Sequence, residues 1–195
     1  MKLSVLGMDL ILSSWFWIYV AVFTWRNLAE WRLTRGRAGG EPGKRTGSGT
    51  LGLFVVAYFG CGLGTGFWLL RQNPSPFAFA LGCVGFLLLH RVRSRVLARQ
   101  LTLGWNPYTT PRADSHLVTR GAYAWVRHPL YLINCLELAC LCLVLPNPVA
   151  LAAWLLDLGA TLWRIPGEEY LLGQRYGAAW EAYRTRTKKL VPFLY

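Results

Sequence analysis

The sequence predicts an all-α, polytopic membrane protein with about five transmembrane helices, a C-terminal helical hairpin and a cytoplasmic amphipathic lid. Three observations predict it. Hydrophobic residues make up 54% of the 195-residue chain and charged residues only 15%, against roughly 25% in an ordinary soluble domain. The apolar residues come in blocks that a soluble core of this size could not hide. Finally, Lys and Arg number 21 against 9 Asp and Glu, and 19 of those bases fall in three stretches, 26–45, 91–127 and 164–189. Only Lys2 and Arg71 lie elsewhere. With five spans the three stretches share one face, which the positive-inside bias makes cytoplasmic, leaving the N-terminus outside and the C-terminus inside. The basic excess is therefore topological, and no nucleic-acid partner is expected.

The apolar segments are 3–23, 51–70, 74–89, 129–145 and 148–163. The first two reach the roughly 20 residues that a bilayer demands. The others hold 16 or 17 residues, so each must borrow flanking residues, sit where the bilayer is thin, or be re-entrant. Segment 3–23 has a one-residue basic region before it, no small-residue cleavage pattern, and an interfacial aromatic set in Trp15, Trp17, Tyr19 and the following Trp25; it reads as a retained span. Pro146-Asn147-Pro148 divides the last apolar stretch into a hairpin, and Asn73-Pro74-Ser75-Pro76 separates the second segment from the third. Residues 36–50, Gly-rich and basic, read as a flexible cytoplasmic loop near anionic head groups.

Gly60, Gly62, Gly64 and Gly66 have the spacing of a nucleotide-binding glycine loop, but they lie inside an apolar run with no strand before them and no acidic residue at the required distance. They read instead as small-xxx-small pairs that let helices approach closely. Cys61, Cys83, Cys135, Cys140 and Cys142 all lie in apolar segments and read as small packed residues; their spacing matches no metal site.

Three features carry chemistry. His128 precedes Pro129, which suits the first position of a helix, so an imidazole, the Arg127 guanidinium and the Tyr131 phenol gather at one helix entrance. Asp157, Thr161, Arg164 and Glu168 follow at i, i+4, i+7 and i+11 on one helical face, and ionisable groups at membrane depth mark functional surfaces by default. Pro166-Gly167 is expected to break the helix between Arg164 and Glu168, leaving Glu168 and Glu169 in the first turn of the next helix, where carboxylates are favoured. The tail from Leu171 to Tyr183 carries Tyr176, Trp180 and Tyr183 at helical spacing, the pattern of a surface helix usable as a lid.

Taken in order, Leu117-Val118-Thr119, then Gly121-Ala122-Tyr123-Ala124-Trp125-Val126-Arg127-His128-Pro129-Leu130-Tyr131, an apolar hairpin, Arg164-Ile165-Pro166-Gly167-Glu168-Glu169, Tyr176-Gly177, Tyr183 and a basic stretch before Pro192 resemble the isoprenylcysteine carboxyl methyltransferase family over about 90 residues of the C-terminal half. The resemblance implies an integral membrane enzyme that transfers a methyl group from S-adenosylmethionine, in a single domain whose residues 1–100 are membrane helices and whose residues 101–195 bind the cofactor and catalyse. It implies cofactor contacts from His116, Leu117, Val118, Tyr123, His128, Pro129, Leu130, Tyr131 and Glu168. Ser115 joins them, because His116 directly precedes Leu117 where the family pattern has one residue between its His and Leu-Val, so Ser115 stands in that register. Arg164, on the substrate side, and Glu168 would be catalytic, and the substrate would be lipid-like or prenylated. Within the same reading, phospholipid N-methyltransferases and NADPH-dependent sterol-type reductases are the alternatives.

Overall fold

The computed structural model describes residues 2–5, 8–11, 14–35, 48–102 and 116–193. Ser115 and most of the 36–50 loop lie outside the described residues. The molecule is a bundle of helices α1 (Ser14–Arg35), α2 (Ser48–Leu69), α3 (Pro76–Thr102), α4 (Pro129–Val144) and α5 (Pro148–Tyr176), followed by the short α6 (Ala178–Arg186). A 3₁₀ turn, Gly121–Ala124, precedes α4. At the N-terminus two strands, Lys2–Val5 and Met8–Ile11, form an antiparallel hairpin. The expected span at 3–23 is therefore corrected: the helix starts only at Ser14 and runs on to Arg35, a shift of the apolar register toward the basic side.

By length and apolarity, Gly52–Leu69, Pro76–Gln100 and Pro148–Tyr176 are sufficient to cross a membrane. The segment expected at 74–89 grows to the 27 residues of α3 by taking in Arg91, Arg93, Arg95 and Arg99, so it does borrow flanking residues. Helix α4 has 16 residues, and α1 carries Arg26, Asn27, Glu30 and Arg32; both complete the bundle beside the longer helices. Large apolar side chains such as Leu63, Phe77, Leu88 and Trp163 stand fully outward, as a lipid-facing surface requires.

The glycines work as close-approach points on two faces of α2. A Cβ on Gly62 would strike the Phe23 ring of α1, and one on Gly64 would come within 2.6 Å of Val149 Cγ1 of α5. Tyr19 of α1 fixes the first contact by donating its hydroxyl proton to the Gly62 carbonyl at 2.6 Å. Gly82 seats α3 against α4 in the same way, since a Cβ there would lie 2.7 Å from the Cys140 carbonyl oxygen. The hairpin between α4 and α5 turns at Asn147, whose side chain caps α5 by accepting from the Ala150 amide at 2.8 Å.

Helix α5 passes through Pro166 without a break, contrary to the expected interruption there. Proline forfeits its own amide bond and crowds the carbonyl four residues back, but one such loss inside a 29-residue helix is bridged by its neighbours. One bridge is the Arg164–Glu168 pair, with Nε to Oε1 at 2.7 Å across the proline.

The apolar core formed around Phe86, Leu138, Leu141 and Cys61 also encloses charge. Arg26 of α1 donates to Glu137 of α4 at 2.9 Å, with the two side chains 5% and 0% exposed, and its guanidinium lies 4.5 Å from the Tyr58 ring. His90 Nδ1 faces the other carboxylate oxygen at 3.8 Å. Removing one member of a buried pair leaves an uncompensated charge, which costs about 3–5 kcal/mol, whereas replacing both by apolar side chains is often neutral. Glu137→Leu is therefore expected to destabilise the detergent-solubilised protein by about 3–5 kcal/mol in denaturant unfolding, and Arg26→Met combined with Glu137→Leu should recover most of the loss. A double variant as unstable as the single would contradict this account.

Candidate functional site

The 3₁₀ turn, the start of α4, the end of α5 and helix α6 converge on one cavity. His128 caps α4 from a non-helical conformation and Pro129 takes the first helical position, which turns the chain sharply and aims His128, Leu130 and Tyr131 into the same space. The open cavity spans about 670 Å³ counting the solvent space at its mouth, and its wall includes Leu117, Val118, Tyr123, His128, Leu130, Tyr131 and Glu168.

Two adjacent carboxylates on α5 organise this wall. Glu168 Oε1 accepts from the Tyr131 hydroxyl at 2.6 Å and from Arg164 Nε at 2.7 Å. Glu169 Oε1 accepts from Arg127 Nε at 2.7 Å and lies 3.3 Å from His128 Nε2. His128 Nδ1 is in turn 3.7 Å from Glu168 Oε2, so the imidazole stands between the two acids. The Tyr131 ring stacks on His128 at 5.7 Å and on Phe54 of α2 at 5.6 Å, which fixes the phenol's direction.

The C-terminal tail closes the far side. Gly177, at φ 48°, ends α5 and starts α6, a left-handed turn that suits glycine. Trp180 and Tyr183 of α6 face inward and are buried. Beyond α6 the chain pairs with the segment before α4: Val126 and Lys188 form a parallel bridge, and the Arg127 and His128 amides donate to the Lys188 and Lys189 carbonyls at 2.8 and 3.1 Å. Arg127 adds side-chain bonds to the Thr187 carbonyl and, at 3.1 Å, to the Arg184 carbonyl. The Tyr183 hydroxyl donates to the Tyr123 carbonyl at 2.8 Å. Burial pushes the Tyr183 phenol up to about 12 and raises that of Tyr123 as well. A raised phenol favours the neutral, docked form, so Tyr183's contribution is complete below its ordinary value of about 10 and is lost as the pH climbs from about 10 to 12.

Of the residues expected from sequence, His116, Leu117, Val118, Tyr123, His128, Leu130, Tyr131 and Glu168 lie together on the wall. Pro129 shapes the turn without lining it, Arg164 meets the wall through Glu168, and Ser115 is outside the described residues. The wall also holds residues not singled out as cofactor contacts: Gln100 from α3, Leu172 and Tyr176 from α5, and Trp180 and Tyr183 from α6. The aromatic spacing of the tail signalled the last three; Gln100 carried no signal. Among the described residues no group of three His, Cys, Asp or Glu side chains is arranged to hold a metal.

The sequence profile of the isoprenylcysteine carboxyl methyltransferase (ICMT) family matches residues 80–174, from α3 through most of α5. No curated protein sequence matches the chain.

Arg127 joins the helix entrance, Glu169 and the tail, and losing a charge-assisted hydrogen bond of this kind costs about 1.5–3 kcal/mol. Arg127→Met is accordingly expected to accelerate tryptic cleavage after Lys188 and Lys189 by roughly 10- to 100-fold, in proportion to the opened population. Mass spectrometry of the fragments checks this, and an unchanged cleavage rate would contradict the clamp.

Proposed function

We propose, for a membrane methyltransferase that belongs to the isoprenylcysteine carboxyl methyltransferase family over residues 80–174, that the donor is S-adenosylmethionine and the acceptor is the carboxylate of a lipid-like or prenylated substrate. The observation that carries this reading is the carboxylate of Glu168 set into an aromatic wall. When bound, the cofactor supplies a methyl group on a sulfonium, a cation that carboxylates and aromatic faces stabilise. The residues present suit that group: Glu168 brings the negative charge, and Tyr123, Tyr131 and Trp180 bring ring surface. Arg127 and His128 bring donors of the kind an amino-acid carboxylate needs.

Methyl transfer is an in-line displacement, so the protein's task is to orient two partners and exclude water. Tyr131 and Arg164 hold Glu168 in one position from opposite neighbours in sequence, α4 and α5. Trp180 and Tyr183 line the cavity and the tail pairs beside it, the position from which a lid would exclude water. Arg164 meets the cavity wall from behind, through Glu168 and Tyr131, which fits a place on the acceptor side. There a guanidinium orients a carboxylate through its planar fork. A carboxylate acceptor arrives already ionised and needs no general base. The basic stretches around α6 and the end of α3 fit an orientation in which this site faces the cytoplasm.

Purified protein in detergent is expected to retain labelled S-adenosylmethionine and not NADPH; the reverse would replace this reading with a reductase. Arg164→Met should reduce methyl transfer by roughly 30- to 1000-fold, the equivalent of about 2–4 kcal/mol in the transition state, while cofactor affinity stays close to that of the unaltered protein. Glu168→Gln should weaken both. Near-normal turnover in Arg164→Met would contradict a carboxylate acceptor and favour an amine, beside which a fixed cation is a hindrance.

A further inference from the structure

We propose that Gln100 reads the adenine edge of the cofactor, an assignment that rests on the S-adenosylmethionine reading above. Gln100 lies near the C-terminal end of α3 and is only 2% exposed, yet it forms part of the cavity wall. Its side-chain oxygen is buried and hydrogen-bonds to nothing. Among the described residues it is the one buried side-chain polar atom on this wall in that condition. Several polar groups of the same wall are committed: Glu168 to Tyr131 and Arg164, Arg127 to Glu169 and the tail, Tyr183 to the Tyr123 carbonyl. Buried polar atoms in native proteins are nearly always paired, because an orphaned carbonyl keeps its full desolvation cost. An unpaired carbonyl on a residue that lines a cavity marks where a ligand donor belongs.

The donor's chemistry follows from the carboxamide. A primary amide presents an acceptor beside a donor, and this pattern is complementary to adenine, whose exocyclic amine donates next to a ring nitrogen that accepts; Gln and Asn are the residues that make such paired contacts to adenine. An ammonium would be drawn to the carboxylates of Glu168 and Glu169 in preference to a neutral amide, and a carboxylate would find in this oxygen no donor at all. The neighbouring wall supplies the flat, apolar sides that a purine needs, from Leu117, Val118 and Leu172 with the ring of Tyr176. Gln100 thus selects the base, while Glu168 serves the sulfonium end.

The test uses two probes, S-adenosylhomocysteine and S-inosylhomocysteine, which differ in having an amine or a carbonyl at the base position facing the amide. The unaltered protein in detergent should bind the adenosyl form about 10-fold or more tightly than the inosyl form, the span expected of one good paired contact. Gln100→Leu should lose about 10-fold in adenosyl affinity and reduce the preference to near unity. The unliganded variant should melt at the same temperature as the unaltered protein or higher, since an orphaned polar atom has been removed. Equal binding of both probes by the unaltered protein overturns the proposal without recourse to any variant. So does a Gln100→Leu protein that keeps its preference, or one that melts lower while its preference is intact, which would make Gln100 a packing residue. Binding of neither probe by the unaltered protein would instead remove the cofactor reading itself.

Discussion

Two neighbouring acids on one helix, Glu168 and Glu169, tie the entrance of α4 to the end of α5 and, through Arg127, to the tail. Successive helical positions point about 100° apart, so the two carboxylates collect different partners. Glu168 gathers Tyr131 from α4 and Arg164 from its own helix; Glu169 gathers Arg127 and His128 from the segment that enters α4. Arg127 then carries the connection onward to the tail through the Arg184 and Thr187 carbonyls. The cavity exists because this cluster sets α4, α5 and the tail at fixed distances around it. A tail docked only by apolar contacts would lack such a register.

The same cluster explains why the helix continues through Pro166. A proline in a helix interior forfeits a hydrogen bond and commonly kinks or ends the helix, and from sequence alone a break was the natural expectation. What the sequence does not display is that Arg164 and Glu168, four residues apart across the proline, are both anchored to the α4 entrance region and to each other. Tertiary anchoring outweighs the local signal there. Elsewhere local signals sufficed. Pro146-Asn147-Pro148 is a turn because its chemistry is contained in three residues, and the α2 glycines are packing points because their spacing alone puts them on two faces of one helix. The Arg127-His128-Pro129 step carried its geometry in the same self-contained way.

Long-range pairing was illegible for the converse reason. Arg26 and Glu137 are 111 positions apart, and nothing in either neighbourhood announces the other; Arg26 by sequence is one more base in a basic stretch, and only the fold makes it a buried ion pair. Gln100 is similar, an ordinary polar residue at the end of a basic helix until α3 is seen to run as far as the cavity. The start of the first helix was misjudged because residues 3–23 are largely apolar, and hydropathy by itself does not separate a strand hairpin from the beginning of a helix. Membrane character, the α4–α5 hairpin and most of the cavity wall were therefore readable from sequence, while the contacts that stabilise them were not.

The central claim is that the surfaces gathered by Glu168 and Glu169 form a cofactor cavity closed by the C-terminal tail. Hydrogen–deuterium exchange of the detergent-solubilised protein, with and without S-adenosylmethionine, tests it most directly, since amide protection reports local closure independently of any acceptor. The account predicts ligand-dependent protection concentrated in residues 116–131 and 168–190, with the α1–α2 contacts unchanged. Protection that appears elsewhere in the bundle, or that NADPH elicits equally in the same segments, would contradict it.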